Sequence, residues 1–174
     1  PSRDDERAVY DLHENAVHDP RYRAFLDRLA LPLQALLPPG ASGLDYGCGP
    51  GPALAAMLEE RGFRMATHDP YFAPNADALA RQYDFVTCTE VAEHFHDPAA
   101  EFVRLAGLLR PGGVLALMTQ RLPEDQSFAT WHYVRDPTHV CFYAERTLRW
   151  LAERHGWHLQ QPAPSVALFV QLPR

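Results

Sequence analysis

Hydrophobic residues along this chain change their period. Tyr22, Phe25, Leu26, Leu29, Leu33 and Leu36 recur at helical spacing behind Asp19-Pro20, a capping side chain followed by a proline at the first helical position. A helix is predicted there, kinked at Pro32, with another upstream from Asp4 to about Asn15. From residue 42 the apolar residues fall into short runs, and Ser42 to Tyr46, Phe63 to Asp69, Tyr83 to Thr89 and Val114 to Thr119 read as strands. Helical stretches separate them. Pro52 to Arg61 is stopped by Gly62, Ala76 to Gln82 is short, and Asp97-Pro98 caps a helix through Arg110 that turns Phe102, Leu105 and Leu109 to the sheet. Ala144 to His155 is a helix ended by Gly156, and Trp157 to Gln161 and Val166 to Leu172 read as two closing strands. Such alternation predicts an α/β fold, a mostly parallel sheet with helices on both faces.

The chemistry concentrates at the end of the first strand. Gly43-Leu44-Asp45-Tyr46-Gly47-Cys48-Gly49-Pro50-Gly51 is a strand, a glycine turn and the entry to a helix. Glycines there let the backbone adopt positive φ and let a ligand approach the main chain at a helix N-terminus. A dinucleotide fold spells this turn Gly-x-Gly-x-x-Gly, and its third glycine would fall on Pro52. Asp45 would repel a pyrophosphate but suits a cofactor carrying an amino group. Asp69 closes the next strand, twenty residues after Gly49, where a carboxylate accepts hydrogen bonds from ribose hydroxyls. The expected ligand is a nucleoside with an amino group, namely S-adenosyl-L-methionine, and a nicotinamide dinucleotide is the disfavoured rival.

On these residues, with Tyr83-Asp84-Phe85-Val86-Thr87-Cys88-Thr89-Glu90-Val91-Ala92-Glu93-His94 and Leu109-Arg110-Pro111-Gly112-Gly113-Val114-Leu115, the chain resembles the class I S-adenosylmethionine-dependent methyltransferases from about Leu44 to Leu172. The branch it looks most like is that of the bacterial ubiquinone-biosynthesis O-methyltransferases. The resemblance implies a Rossmann-like sheet with an antiparallel C-terminal finish, and a cofactor site of Asp45, Tyr46, Gly47, Cys48, Gly49, Gly51, Asp69, Pro70, Tyr71, Thr89 and Glu90, with Tyr71 or Phe72 beside the adenine. Only thirteen residues separate Asp69 from Tyr83, too few for the strand and helix that many relatives place there, so the sheet is expected to be reduced at its third strand. In related bacterial sequences a cysteine-rich, zinc-ribbon-like segment precedes this region, and one is expected ahead of Pro1.

Composition narrows the rest. The 174 residues read as a single domain: a helical cap over 1–38 that roofs the cofactor, a cofactor-binding core over 42–119, a substrate-side insertion over 120–143, and a closing helix and strands over 144–174. No apolar run approaches the roughly 20 residues of a membrane span. A net charge of −6 without a basic run disfavours nucleic acid, and three cysteines without paired spacing fit reduced thiols in the cytoplasm. Nothing bears on the oligomeric state.

Methyl transfer needs alignment and, where the acceptor is protonated, a base. His94, His132 and His139 are the candidates, because imidazole titrates near neutrality; ordinary loop or cap roles are the alternative for each. Tyr10, His13, Glu14 and Asn15 form a polar cluster that would touch the cofactor if the N-terminal segment folds over it. The reading is a methyltransferase acting on an oxygen or nitrogen of a small-molecule acceptor, with no metal. Glu90, Glu93 and His94 occupy i, i+3 and i+4, and with His139 they resemble the Glu-x-x-Glu-His set with which small-RNA 2′-O-methyltransferases hold a divalent ion. A metal-assisted RNA methyltransferase is therefore the alternative, beside a silent cofactor-binding module.

Overall fold

The computed structural model describes residues 17–122 and 127–172. The predicted helix from Asp4 to Asn15 and its polar cluster lie outside the described residues. Helix α1 (Pro20–Gln34) begins where Asp19 accepts a hydrogen bond from the Arg21 amide, with a proline in its first turn. It ends two residues past Pro32, earlier than the apolar pattern implied, so Leu36 falls outside it and is exposed. Strand β1 (Ser42–Tyr46), α2 (Ala53–Glu60), β2 (Arg64–His68), the short α3 (Ala76–Leu79) and β3 (Tyr83–Thr89) follow. Then come α4 (Pro98–Gly107), β4 (Leu109–Met118), α5 (Glu145–His155), β5 (Trp157–Ala163) and β6 (Val166–Gln171). Asn75 and Asp97 cap α3 and α4 through their side chains, and Gly156 ends α5 in the left-handed conformation.

Helix α4 stops short of the expected Arg110 because Leu109 already pairs with Tyr83, and the Pro-Gly-Gly stretch that follows is accommodated by a register shift in β4. Arg110 is thereby turned to the carboxylate of Asp84 and the hydroxyl of Ser42, joining three strands at their N-terminal ends.

The six strands run in the order β2-β1-β3-β4-β6-β5. The first four are mutually parallel, and β6 is antiparallel to both β4 and β5. Strands β2 and β5 are the sheet's edges, and only α3 stands between β2 and β3 in the chain, as the short connection required. One face packs Leu26, Leu29 and Leu33 of α1 and Leu54 and Leu58 of α2 against Phe85, Ala116 and Leu168. The other packs Phe102 and Leu105 of α4 and Leu148 and Leu151 of α5 against Val86, Leu115 and Phe169. Among the described residues no helix is long and apolar enough to cross a membrane.

The insertion after β4 contains two 3₁₀ turns, Phe128–Thr130 and His132–Arg135, and buries Trp131, Tyr133 and Tyr143. It is fastened to the loop after β3: Val140 and Cys141 both donate to the Glu93 carbonyl at 2.9 Å, and the Tyr143 hydroxyl donates to that of Ala92 at 3.0 Å.

Gly43 sits in mid-strand, where a Cβ would lie 2.2 Å from the buried ring of Phe85. Gly43→Ala is therefore expected to destabilise the fold by about 1–3 kcal/mol through overpacking, lowering the urea midpoint at constant slope. An unchanged midpoint would show that the ring moves aside freely.

Candidate active site

A cavity of about 740 Å³ opens at the C-terminal ends of β1, β2 and β3. This is where open α/β sheets bind ligands, because strand ends and helix N-termini converge there. Helix α1 contributes Tyr22 and Phe25 to its wall.

The floor is the glycine turn. Gly47 and Gly49 have φ of 78° and 64°, which favours glycine. A Cβ on Gly47 would lie 2.4 Å from Val91 Cγ2, so the turn can approach the loop after β3 only without a side chain. Gly49 has nothing within 4 Å of the equivalent position and leaves its backbone open to the cavity. Gly51 does not line the cavity; its carbonyl accepts from the Ala53 amide at the entry to α2. Tyr46 and Cys48 do line it, and burial first, then the charges of Asp45 and Asp69, push the Cys48 thiol up to about 12. Cys48 is thus a packing thiol.

The two acids divide their work. Asp69 has three backbone donors: the Gly49 amide reaches Oδ2 at 3.0 Å, and the Tyr71 and Phe72 amides reach Oδ1 at 2.8 and 3.0 Å. A carboxylate has about four lone-pair positions, so one remains, on Oδ2. Pro70, Tyr71 and Phe72 continue the wall beside it. Asp45 is buried beneath the turn, outside the cavity lining, and accepts from the Thr87 hydroxyl at 2.8 Å. Burial raises its pKa to about 6, against the Thr87 hydrogen bond and with help from Asp69.

At the β3 end the structure brings together Thr89, Glu90, Glu93, His94 and His139. Glu90 is the one non-glycine among the described residues with positive φ, 52°, a strained conformation that marks functional sites. Thr89 Oγ1, Glu90 Oε1 and Glu93 Oε2 are buried without a hydrogen-bond partner among the described residues. The Tyr133 hydroxyl donates to Glu93 and lies 3.4 Å from Glu90 Oε2. Burial, then the neighbouring Glu93, raises the pKa of Glu90, and burial beside both acids raises that of Tyr133.

The imidazoles of His94 and His139 meet edge to face, 4.9 Å between centroids. His94 Nδ1 lies 3.0 Å from the Thr138 carbonyl and His139 Nδ1 lies 2.8 Å from that of Tyr133. Carbonyls only accept, so each Nδ1 carries the proton and Nε2 is the basic nitrogen. Burial lowers the pKa of His94 and favours its neutral form. One ligand atom from each of Glu93, His94 and His139 falls within 4.8 Å of the others.

The third candidate base does not join them. His132 is exposed and outside the cavity lining, because the turn that buries its neighbours Trp131 and Tyr133 points it to solvent. Residues not anticipated from the sequence also line the site. Tyr22 and Phe25 read only as helix core, and Tyr133, hidden inside an irregular insertion, is buried behind the lining with its hydroxyl on Glu93. His68, and Glu101 and Arg104 of α4, carried no motif.

Comparison with known proteins is consistent with this geometry. A family model described as a methyltransferase domain matches residues 15–161. A ubiquinone biosynthesis O-methyltransferase of Sodalis glossinidius is 36% identical over 78 residues, covering 45% of this chain and 31% of its own. Its counterpart in Stutzerimonas stutzeri is 31% identical over 115 residues, covering 52% and 49%. The chain thus spans less than half the length of these relatives. Among solved structures, the Burkholderia thailandensis 1,6-didemethyltoxoflavin-N1-methyltransferase, with 1,6-didemethyltoxoflavin and S-adenosylhomocysteine bound, superposes with a TM-score of 0.61 at 16% identity, covering 100% of this chain and 92% of its own.

The buried Asp45 generates a pH-dependent cost. Its folded pKa of about 6 exceeds the ordinary aspartate value of 3.8, so the folded state holds the proton more tightly, and stability falls as pH rises from about 4 to about 6. Asp45→Asn removes that cost and is expected to unfold later than the parent at pH 8, by roughly 3 kcal/mol at most, with the difference fading toward pH 4. Denaturant titrations across pH 4–8 check this. A gap that is constant with pH would show that Asp45 is not titrating there.

Proposed function

This chain belongs to the methyltransferase-domain family, and from that premise we propose that it transfers a methyl group from S-adenosylmethionine to an oxygen or nitrogen of a small-molecule acceptor. The observation that carries the reading is a single cavity with a nucleoside cradle at one end and, at the other, a pair of imidazoles whose Nδ1 atoms are held by backbone carbonyls. The cradle is Gly47, Gly49 and Asp69, and the open backbone at Gly49 and the remaining lone pair of Asp69 fit a ribose. When bound, the cofactor supplies an electrophilic methyl carbon on a sulfonium.

The chain's own residues do the rest. Asp69 holds the ribose, the Gly47–Gly49 backbone takes the methionine side, and Tyr71 or Phe72 lies beside the adenine. Tyr22 and Phe25 exclude water from above. His139 or His94 accepts the acceptor's proton at Nε2, the nitrogen that the two carbonyl contacts leave basic. The absence of a basic run supports a small acceptor over nucleic acid. The three cysteines are free, which supports a cytoplasmic setting.

Calorimetric titration with S-adenosylmethionine, S-adenosylhomocysteine and NAD tests the pocket. Micromolar binding of the first two and none of NAD is expected, with Asp69→Ala weakening both at least about tenfold. Affinity unchanged in Asp69→Ala would refute the ribose placement. In an acceptor screen over phenols and amines, His139→Ala is expected to leave cofactor affinity intact and cut turnover about 100-fold. Binding without turnover on any acceptor would favour a silent cofactor-binding module.

A specific observation supports a second reading, in which Glu93, His94 and His139 hold a divalent ion. Both histidines give their Nδ1 protons to backbone carbonyls, the arrangement that orients ligating imidazoles, and Glu93 Oε2 lacks a partner among the described residues. A bound ion would supply Lewis acidity toward an acceptor oxygen. Under this reading cobalt(II) titration produces visible ligand-field absorption that His139→Ala abolishes, and a chelator lowers turnover. Turnover indifferent to chelation would leave the imidazole base as the sole account.

A further inference from the structure

Strand β2 is one edge of the sheet, and the 68–83 connection carries only α3. Among the described residues no strand beyond β2 is available to meet the purine of a cofactor whose ribose sits on Asp69. The cavity instead continues beneath the ends of β1 and β2 to α4, where it is lined by Tyr46, His68, Glu101 and Arg104. These four side chains form one set. The Tyr46 hydroxyl donates to Glu101 Oε2 at 2.5 Å, Arg104 lies 3.7 Å from Glu101 Oε1, and the rings of Tyr46 and His68 are 5.6 Å apart. His68 Nδ1 accepts from the Asn75 amide at 3.1 Å, so its Nε2 carries the proton. The set therefore presents a carboxylate acceptor beside cationic and imidazole donors.

That is the complement of adenine's outer edge, which offers an exocyclic amine as donor and ring nitrogens as acceptors. The other acids of the cavity are differently employed. Asp69 accepts three backbone amides and leaves one lone pair for the ribose, Asp97 caps α4, Glu90 and Glu93 lie at the β3 end beside Tyr133, and Asp136 accepts from the Thr138 amide and hydroxyl.

Resting on the S-adenosylmethionine reading above, we propose that Glu101, positioned by Tyr46 and Arg104, accepts the hydrogen bond of the cofactor's adenine amine, so that this chain selects its purine from α4. The test compares S-adenosylhomocysteine with S-inosylhomocysteine, whose 6-oxo group replaces the amine, by calorimetric titration of the whole chain. The parent protein is expected to prefer the adenine compound at least about tenfold. Glu101→Gln, which keeps an oxygen for Tyr46 and adds a donor, is expected to weaken the adenine compound about 10- to 100-fold while holding or improving the inosine compound. Tyr46→Phe, which releases the carboxylate, is expected to shrink the same ratio partway; if Glu101→Gln fails to fold, this variant decides the matter. An unchanged ratio in the folded variants would overturn the assignment to Glu101 while leaving the cofactor reading standing. Failure of the parent protein to bind S-adenosylhomocysteine at all would overturn both.

Discussion

The site is organised by the Asp69 carboxylate. By accepting from Gly49 on one side and from Tyr71 and Phe72 on the other, it joins the glycine turn after β1 to the loop after β2. Both loops carry backbone donors that would otherwise need water, and a charged acceptor satisfies them more strongly than a neutral one. The turn can assume its shape only because Gly47 lets Val91 close in and Gly49 takes a positive φ. From that junction follow an open backbone floor and a lone pair directed to the same space, features that a ribose-bearing ligand uses together.

The opposite end of the cavity is held by the insertion after β4. Its polar fastenings to the loop after β3 centre on residues 92–94: two amides on the Glu93 carbonyl, Tyr143 on Ala92, Tyr133 on the Glu93 carboxylate and His94 on Thr138, with Tyr133 also 3.4 Å from Glu90. Burying carboxylates is costly unless they are bonded or protonated, and here two acids and a phenol are packed together beside two imidazoles. Burial shifts Glu90, Tyr133 and His94 among them, and perturbed groups concentrate where proton or metal chemistry is done. The glycine-turn end of the cavity therefore rests on backbone hydrogen bonds, while the β3 end rests on side chains packed against one another.

Much of this was legible from local pattern. Strands β1 and β3 coincide with their apolar runs to the residue, because each is bounded by turn-forming residues and buried along most of its length. The glycine turn, Asp69, His94 and His139 could be singled out from residue type and spacing, and the structure brings Gly47, Gly49, Asp69, His94 and His139 to one cavity. The start of β4 was not, since Pro111-Gly112-Gly113 reads as a turn and pairs only through a register shift with β3. His132 was misplaced and Tyr133 overlooked for one reason: in an irregular insertion the burial of Trp131 and Tyr133 decides which side chain faces the site, and no period announces it. Glu101, Arg104 and His68 stayed hidden because they meet only when β1, β2 and α4 are assembled.

The most direct test of the central claim is a crystal structure of the chain with S-adenosylhomocysteine. The account predicts the ribose on Asp69, the homocysteine along Gly47–Gly49 and the sulfur directed toward the Glu90 and His94 end. A nucleoside bound elsewhere, or one in this cavity with its sulfur turned away from Glu90 and His94, would contradict it.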